Sequence, residues 1–264
     1  MYWSIDENKC VISELYVDGN NIINPWGIET ADSFSFFSLE KGEGWRYKIL
    51  KENYNFNENK YYAEIITKMK ESEWKLVSKD ILKDNKIIRY AELLTFKDGY
   101  FMDFVLRFRF KKKFISYVKI NNKKYKHNNT NIYYQFPVNS VLLIGKNFKI
   151  SISVLESIIP KKFQQVIYVK DAINEWVVHI RMIPIKWDKE VIKICTKWAG
   201  TKPLPQKISN FLLKNRWIKK QLWYRGEKKP YKCKLLKLIN PCAFGMVKVE
   251  KNTKFMLHTS LEIR

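Results

Sequence analysis

The stretch Phe101-Met-Asp-Phe-Val-Leu-Arg-Phe-Arg-Phe110 alternates with a period of two. Successive side chains of an extended chain point to opposite faces, so Met102, Phe104, Leu106, Phe108 and Phe110 line one face and Phe101, Asp103, Val105, Arg107 and Arg109 the other. The first face reads as core. The second carries one acid and two arginines, and only eight of the 49 basic residues are Arg. Arg presents a planar fork that matches carboxylate, sulfate or phosphate. Asp103, Arg107 and Arg109 are therefore candidate site residues, with a solvated outer face or a cross-strand ion pair as the competing reading.

A second stretch, Trp176–Lys186, divides in the same way. Trp176, Val178, Ile180 and Met182 fall on one side and Val177, His179, Arg181 and Ile183 on the other. A cation beside a histidine disfavours the imidazolium and leaves a neutral ring able to accept a proton. His179 is thus a catalytic candidate together with Asp103, and Arg181 joins Arg107 and Arg109 as a substrate-binding candidate. The plainer reading of His179 is a polar strand residue with a hydrogen-bond partner.

Outward from these two stretches, residues 8 to about 197 read as short runs rich in Ile, Val, Phe, Tyr and Trp, broken by Asn, Asp and Gly turns, with no sustained 3.6 period. The runs are 10–17, 33–38, 45–51, 61–69, 73–79, 86–96, 101–110, 114–120, 131–138, 148–155, 165–170, 175–186 and 190–197. Lys97-Asp98-Gly99-Tyr100 carries the Asp-Gly signal of a hairpin. So many strands without intervening helices predict stacked antiparallel sheets, a mainly β protein built as a large antiparallel sandwich over residues 1–200. After Gly200, Pro203 and Pro205 mark a break. Residues 206–225 then read as a helix, with Ile208, Phe211, Leu212, Ile218, Leu222 and Trp223 on one arc, and strands follow near 244–250 and 254–262. Residues 201–264 are accordingly read as a basic C-terminal extension, one helix plus terminal strands packed on the sandwich.

Composition narrows the chemistry. The chain has 264 residues, a formal net charge of +23, nine Gly, three His and four Cys. A chain of this length buries enough surface to fold without disulfide or metal. Gly42 and Gly44 lack the third Gly of a dinucleotide fingerprint, and Gly145-Lys146 lacks the preceding Gly of a phosphate-binding loop. Histidines at 127, 179 and 258 exclude zinc-protease and zinc-finger spacings, and no two Cys are close enough for a metal or redox pair. No cofactor and no metal are expected. The opening Met-Tyr-Trp-Ser-Ile-Asp-Glu has neither a basic nor an apolar leader region, which with the irregular Cys spacing gives the expectation of reduced thiols and a cytoplasmic location.

Charge is unevenly placed. Residues 1–100 are net −3, residues 101–180 net +10 and residues 181–240 net +14. Such a field attracts polyanions: acidic polysaccharide, nucleic acid, or an anionic membrane leaflet. Because 41 of the basic residues are Lys in a chain heavy in Asn and Ile, AT-rich coding bias accounts for part of the excess.

The opening Cys10-Val-Ile-Ser-Glu-Leu-Tyr-Val-Asp-Gly19, followed by Asn20-Asn-Ile-Ile-Asn-Pro-Trp26, resembles the start of galactose-mutarotase-like proteins. The strand succession to about residue 197, with Arg89 and Asp103–Phe110 in its middle, is similar in order to their β-supersandwich. The resemblance implies a concave sheet that holds carbohydrate, as in sugar epimerases and in the sandwich domains of polysaccharide lyases and hydrolases. The family's two catalytic His and one Glu have no counterparts in matching contexts at His127, His179 or Glu262, so epimerase activity is not carried over. Nine Trp and 15 Tyr add independent support, since flat rings stack on pyranose faces.

Three functions follow as expectations. The first is a protein acting on or binding an anionic glycan, in bacterial surface-polysaccharide metabolism, where an Arg would neutralise a uronate carboxylate while His179 or a Tyr removes a proton. The second is a nucleic-acid-binding protein using the basic 181–240 stripe. The third is a component held peripherally at the inner membrane through 206–225.

Overall fold

The computed structural model describes residues 1–6, 11–32, 35–40, 44–127, 133–185, 192–195, 205–215, 218, 242–245 and 247–264. Two large antiparallel sheets make up most of it. The six-stranded sheet runs in the order β14 (Tyr133–Phe136), β17 (Phe163–Asp171), β18 (Glu175–Pro184), β11 (Asp103–Lys111), β4 (Gly27–Ala31) and β5 (Phe36–Ser38). The nine-stranded sheet runs β13 (Lys123–Lys126), β12 (Ile115–Ile120), β15 (Ser140–Gly145), β16 (Lys149–Ile158), β22 (Lys254–Ile263), β9 (Lys86–Thr95), β8 (Glu73–Lys83), β7 (Lys60–Lys68) and β6 (Lys48–Phe56). Smaller pairings join β1 (Tyr2–Asp6), β2 (Val11–Val17) and β3 (Asn20–Asn21), then β10 (Gly99–Phe101) with β21 (Val247–Val249), and β19 (Ile192–Cys195) with β20 (Cys242–Gly245). The helix α1 spans Gln206–Lys214. This is the mainly β sandwich that the alternation predicts.

The inner faces of the two sheets meet through aromatic side chains. Phe104 of β11 and Phe163 of β17 pack on Phe255 of β22 at 6.0 and 4.9 Å between ring centroids. Trp26 stands edge-on to Phe108 at 5.1 Å, and Phe37 edge-on to Trp74 at 4.8 Å. Edge-to-face geometry places the positive rim of one ring on the negative face of the other. One cation crosses this apolar layer. Arg89 of β9 extends from the nine-stranded sheet and donates from Nη1 to the Arg107 carbonyl at 3.1 Å and from Nη2 to the Gly27 carbonyl at 3.4 Å. Its guanidinium lies 5.6 Å from the Trp26 ring and 5.4 Å from the Phe108 ring. Asp80 of β8 stands 3.3 Å from its Nε and is its counter-ion. Burial pushes the Asp80 carboxyl up to about 6, against the lowering effect of Arg89.

Three expectations change. The strand read over 101–110 is interrupted at Met102, so Phe101 belongs to β10 and is buried against Phe255, not on the face of Asp103. The Asp98-Gly99 hairpin does not form either: β9 lies in the nine-stranded sheet, β11 in the six-stranded one, and the segment between them crosses from sheet to sheet. Gly99 serves close approach there, since a Cβ would lie 2.4 Å from the Glu71 carbonyl oxygen. Tight two-residue turns form instead at Asp18-Gly19 and Asn121-Asn122, whose φ values of 48 and 74° and of 46 and 65° fit Asp, Gly and Asn. Finally, β22 is hydrogen-bonded between β16 and β9 in the middle of its sheet. A boundary at residue 200 therefore does not separate the sandwich from its last large strand. Of the helix read over 206–225, the part beyond 215 lies outside the described residues except for Ile218. No helix among the described residues is long and apolar enough to cross a membrane.

Candidate site on the outer face of the six-stranded sheet

β11 and β18 are antiparallel neighbours, with Arg107 directly across from His179, Val105 from Arg181 and Arg109 from Val177. On the other side of β18, Tyr168 lies across from His179 and Lys170 from Val177. On the other side of β11, Gly27 lies across from Arg107 and Glu29 from Val105. Because the period of a strand is two, all of these side chains leave the sheet on the face opposite the Phe104–Phe110 core. The structure therefore brings together every site residue expected from sequence: Asp103, Arg107, Arg109, His179 and Arg181.

It also supplies what the sequence reading missed. Arg107 Nη1 donates to Glu29 Oε1 at 2.6 Å and lies 3.1 Å from Glu40 Oε2. Arg109 donates from Nε and Nη2 to the two oxygens of Glu175 at 2.9 and 3.0 Å, and from Nη1 to Glu40. Asn24 completes this cluster, donating to Glu175 at 2.7 Å. Arg181 donates to Asp103, whose carbonyl accepts the Thr30 hydroxyl at 2.6 Å. Five cations, Arg107, Arg109, Lys111, Arg181 and Lys170, thus share the face with four carboxylates, Glu29, Glu40, Asp103 and Glu175. The solvated-face reading is corrected: Asp103 and Arg181 are 6 and 5% exposed, and the cross-strand ion pairs are formed. Glu40 reaches over the sheet because Gly27 leaves room for it; a Cβ there would sit 2.8 Å from Glu40 Oε2.

His179 is at the centre of this network and takes no part in it. Both ring nitrogens are buried and neither has a hydrogen-bond partner among the described residues. The ring lies 4.7 Å from that of Tyr168 at an interplanar angle of 33°. Burial first, then the positive charges of Arg107, Arg181, Lys170 and Arg109, hold its pKa well below the usual 6.5. The imidazole is therefore neutral, with a lone pair on one nitrogen. Glu29 shifts the other way: burial raises its carboxyl pKa against the lowering effect of Arg107. Lys170 is lowered by burial and then by Arg107. A neutral imidazole beside an ion-paired carboxylate whose proton affinity is raised brings a proton acceptor and a charged partner onto one face.

At the Arg109 end of the face a depression of about 580 Å³ opens, lined by Asn24, Pro25, Arg109, Ala172, Ile173, Asn174 and Glu175. Its volume falls in the range of small-ligand sites. Among the described residues no group of three or more His, Cys, Asp or Glu side chains is arranged to hold a metal. Most of the basic 181–240 stripe lies outside the described residues. Within α1, Ile208 and Phe211 are 49 and 73% exposed beside the exposed Lys207 and Lys214.

The two-sheet antiparallel sandwich has the galactose-mutarotase-like fold. A galactose mutarotase-like protein from Lactobacillus casei superposes with a TM-score of 0.51 at 8% identity, the match covering 100% of this chain and 99% of that one. The Slr1438 protein from Synechocystis is also similar, with a TM-score of 0.45 at 8% identity over 100% of this chain and 95% of that one. No known family and no curated protein matches the sequence. At such identities the likeness concerns the fold, and the site chemistry rests on this chain's own residues.

Proposed function

We propose that the protein binds carbohydrate on the outer face of the six-stranded sheet and transfers a proton there through His179. One observation carries this reading: a neutral, half-buried histidine, whose buried ring nitrogens have no hydrogen-bond partner among the described residues, stands among five guanidinium or ammonium groups and four carboxylates. A sugar hydroxyl donates to a carboxylate and accepts from a guanidinium, and alternating ion pairs offer both partners at close spacing. His179 is the proton acceptor, Arg107 and Arg181 border it on the face, and Asp103 orients Arg181. The mutarotase-like fold supports the same reading by analogy.

Within it, the pairing of most of these cations with carboxylates favours a hydroxyl-rich neutral sugar. An anionic glycan, in surface-polysaccharide metabolism, is the second reading, favoured by three of the chain's eight arginines gathering on one face. Its carboxylate would compete with Glu29 or Glu40 for a guanidinium. A lyase, a hydrolase and an epimerase all need the proton acceptor that His179 supplies.

The test is ligand-detected NMR with neutral aldoses, uronic acids, their oligomers and single-stranded DNA. Binding to one sugar class, weakened at least about tenfold in His179→Ala by the loss of a buried hydrogen bond, is the expected result. Because the imidazole pKa is pushed down, affinity that depends on the neutral ring should hold as the pH falls through 6. Binding of every polyanion alike with no response to any neutral sugar, or a His179→Ala protein with unchanged affinity, would reject the proposal. Equal binding of DNA and uronate polymers would return the basic 181–240 stripe to first place. The membrane reading of 206–225 rests on the exposed Ile208 and Phe211 and predicts release from vesicles when that segment is deleted.

A further inference from the structure

The opposite face of the molecule carries a second feature that sugar binding does not use. On the outer side of the nine-stranded sheet, the β12–β13 hairpin and its neighbours β15 and β16 form a small grid. One row reads Lys124, Lys119, Leu142, Ser151 across four strands and the next reads Lys126, Tyr117, Ile144, Lys149. The side chains that alternate with them, Val118, Ile120, Val141, Leu143, Ile150 and Ile152, are buried in the core, which fixes the grid as outward. The four lysines are exposed; Tyr117, Leu142 and Ile144 are half-buried between them. At the usual strand spacing the grid is about 14 Å wide and about 7 Å deep.

Lys119 and Lys124 stand directly opposite each other, a like-charge pair that weakens a hairpin. Opposed lysines also occur elsewhere in the sheet, at Lys48 and Lys68 and at Lys83 and Lys86, but the absence of acids around the grid sets it apart from an ordinary lysine-rich surface. No carboxylate offsets Lys119 and Lys124: from Phe104 to Leu155 the sequence has no Asp or Glu at all. The nearest acid on the same face, Glu262, is held by both Nε and Nη2 of Arg264 at 2.9 and 3.0 Å. At the other end of the same sheet carboxylates stand among the lysines and pair three of them, Lys75 with Glu64 at 2.8 Å, Lys97 with Glu73 at 3.6 Å and Lys254 with Glu92 at 2.7 Å.

We infer that this grid, Lys119, Lys124, Lys126 and Lys149 around Tyr117, Leu142 and Ile144, is a docking surface for an anionic lipid bilayer. Its apolar centre and its ring of exposed ammonium groups match a headgroup layer: lysine stems lie along apolar surface while the charges reach phosphate or carboxylate. Nucleic acid fits less well, because Lys124 Nζ sits 3.8 Å from the centre of the Tyr117 ring and covers the platform on which a base would stack. A polysaccharide would find only the Tyr117 hydroxyl and Ser151 as uncharged hydrogen-bonding side chains within the grid.

The experiment is vesicle co-sedimentation of the full chain at low and at physiological salt, with pure phosphatidylcholine and with about one-third phosphatidylserine. Binding to the anionic vesicles alone, weakening with salt, is expected. Lys119→Glu/Lys124→Glu should lower it at least about tenfold, whereas the equal charge change Lys51→Glu/Lys60→Glu, at the far end of the sheet, should lower it less than about threefold. Lys119→Glu alone places a carboxylate opposite Lys124, so it should raise the thermal midpoint while weakening binding, a combination that loss of folding cannot produce. Equal losses in the two double variants would reduce the effect to net charge and overturn the inference. So would equal binding to neutral vesicles, or a hairpin-dependent affinity for single-stranded DNA without vesicle binding.

Discussion

Arg89→Met should destabilise the protein by about 3–5 kcal/mol, read from urea or guanidinium midpoints, because it strips a buried anion of its counter-ion. Arg89 and Asp80 are 3 and 1% exposed, and the guanidinium also holds the carbonyls of Gly27 and Arg107, which would both lose a donor. The second substitution decides whether charge is the cause. Adding Asp80→Asn to Arg89→Met removes the stranded carboxylate and should recover a good part of the loss; failure to recover any would mean that packing against Trp26 and Phe108, not charge, is what Arg89 supplies. The same pair sets a pH signature. The Asp80 pKa is raised from 3.8 to about 6 on folding. Between those values the folded chain binds a proton that the unfolded chain does not, so this group's contribution falls as the pH rises from about 4 to 6. A shift of that size corresponds to about 3 kcal/mol. Asp80→Asn should abolish that slope, and an unchanged profile in the variant would show that another group produces it.

Glu40→Gln should have an effect of the same order, about 3–5 kcal/mol, for a different reason. Glu40 is 1% exposed and bridges Arg107 and Arg109, which leave β11 on the same face two residues apart. Without its charge the two guanidiniums repel each other with only Glu29 and Glu175 to neutralise them. Adding Arg109→Met should return part of the lost stability, since it removes one of the cations left unbalanced. Denaturant midpoints of the two single variants and the double variant measure that coupling. Strictly additive losses would show that Glu40 does not hold the two arginines together.

The face that carries the proposed chemistry was half legible in the sequence. Alternation along 101–110 and 176–186 assigned Arg107, Arg109, His179 and Arg181 to non-core faces, because a strand has no other way to arrange alternate apolar residues. Of the carboxylates only Asp103 was legible; Glu29, Glu40 and Glu175 were not. Glu29 sits in β4, whose five residues Gly27–Ala31 are all buried and show no alternation, and Glu40 lies beyond the end of β5. Each becomes a neighbour of Arg107 only because β4 pairs with β11 across more than 70 residues of chain. The arginines, taken alone, suggested an anionic ligand; their partners turn the face into a network of ion pairs. Arg89 escaped functional notice for a related reason, since nothing local tells a strand arginine that points outward from one that spans the core.

Local sequence determined the strands, the two-residue turns at Asp18-Gly19 and Asn121-Asn122, the antiparallel class and the unbalanced lysines of the β12–β13 hairpin, because each depends on side-chain periodicity, backbone φ or charge within a few residues. Tertiary structure alone decided which strands became neighbours, that β22 closes the middle of the nine-stranded sheet, and that Asp98-Gly99 crosses between sheets instead of turning back. Strand order is a property of long-range pairing, and no window of sequence contains both partners.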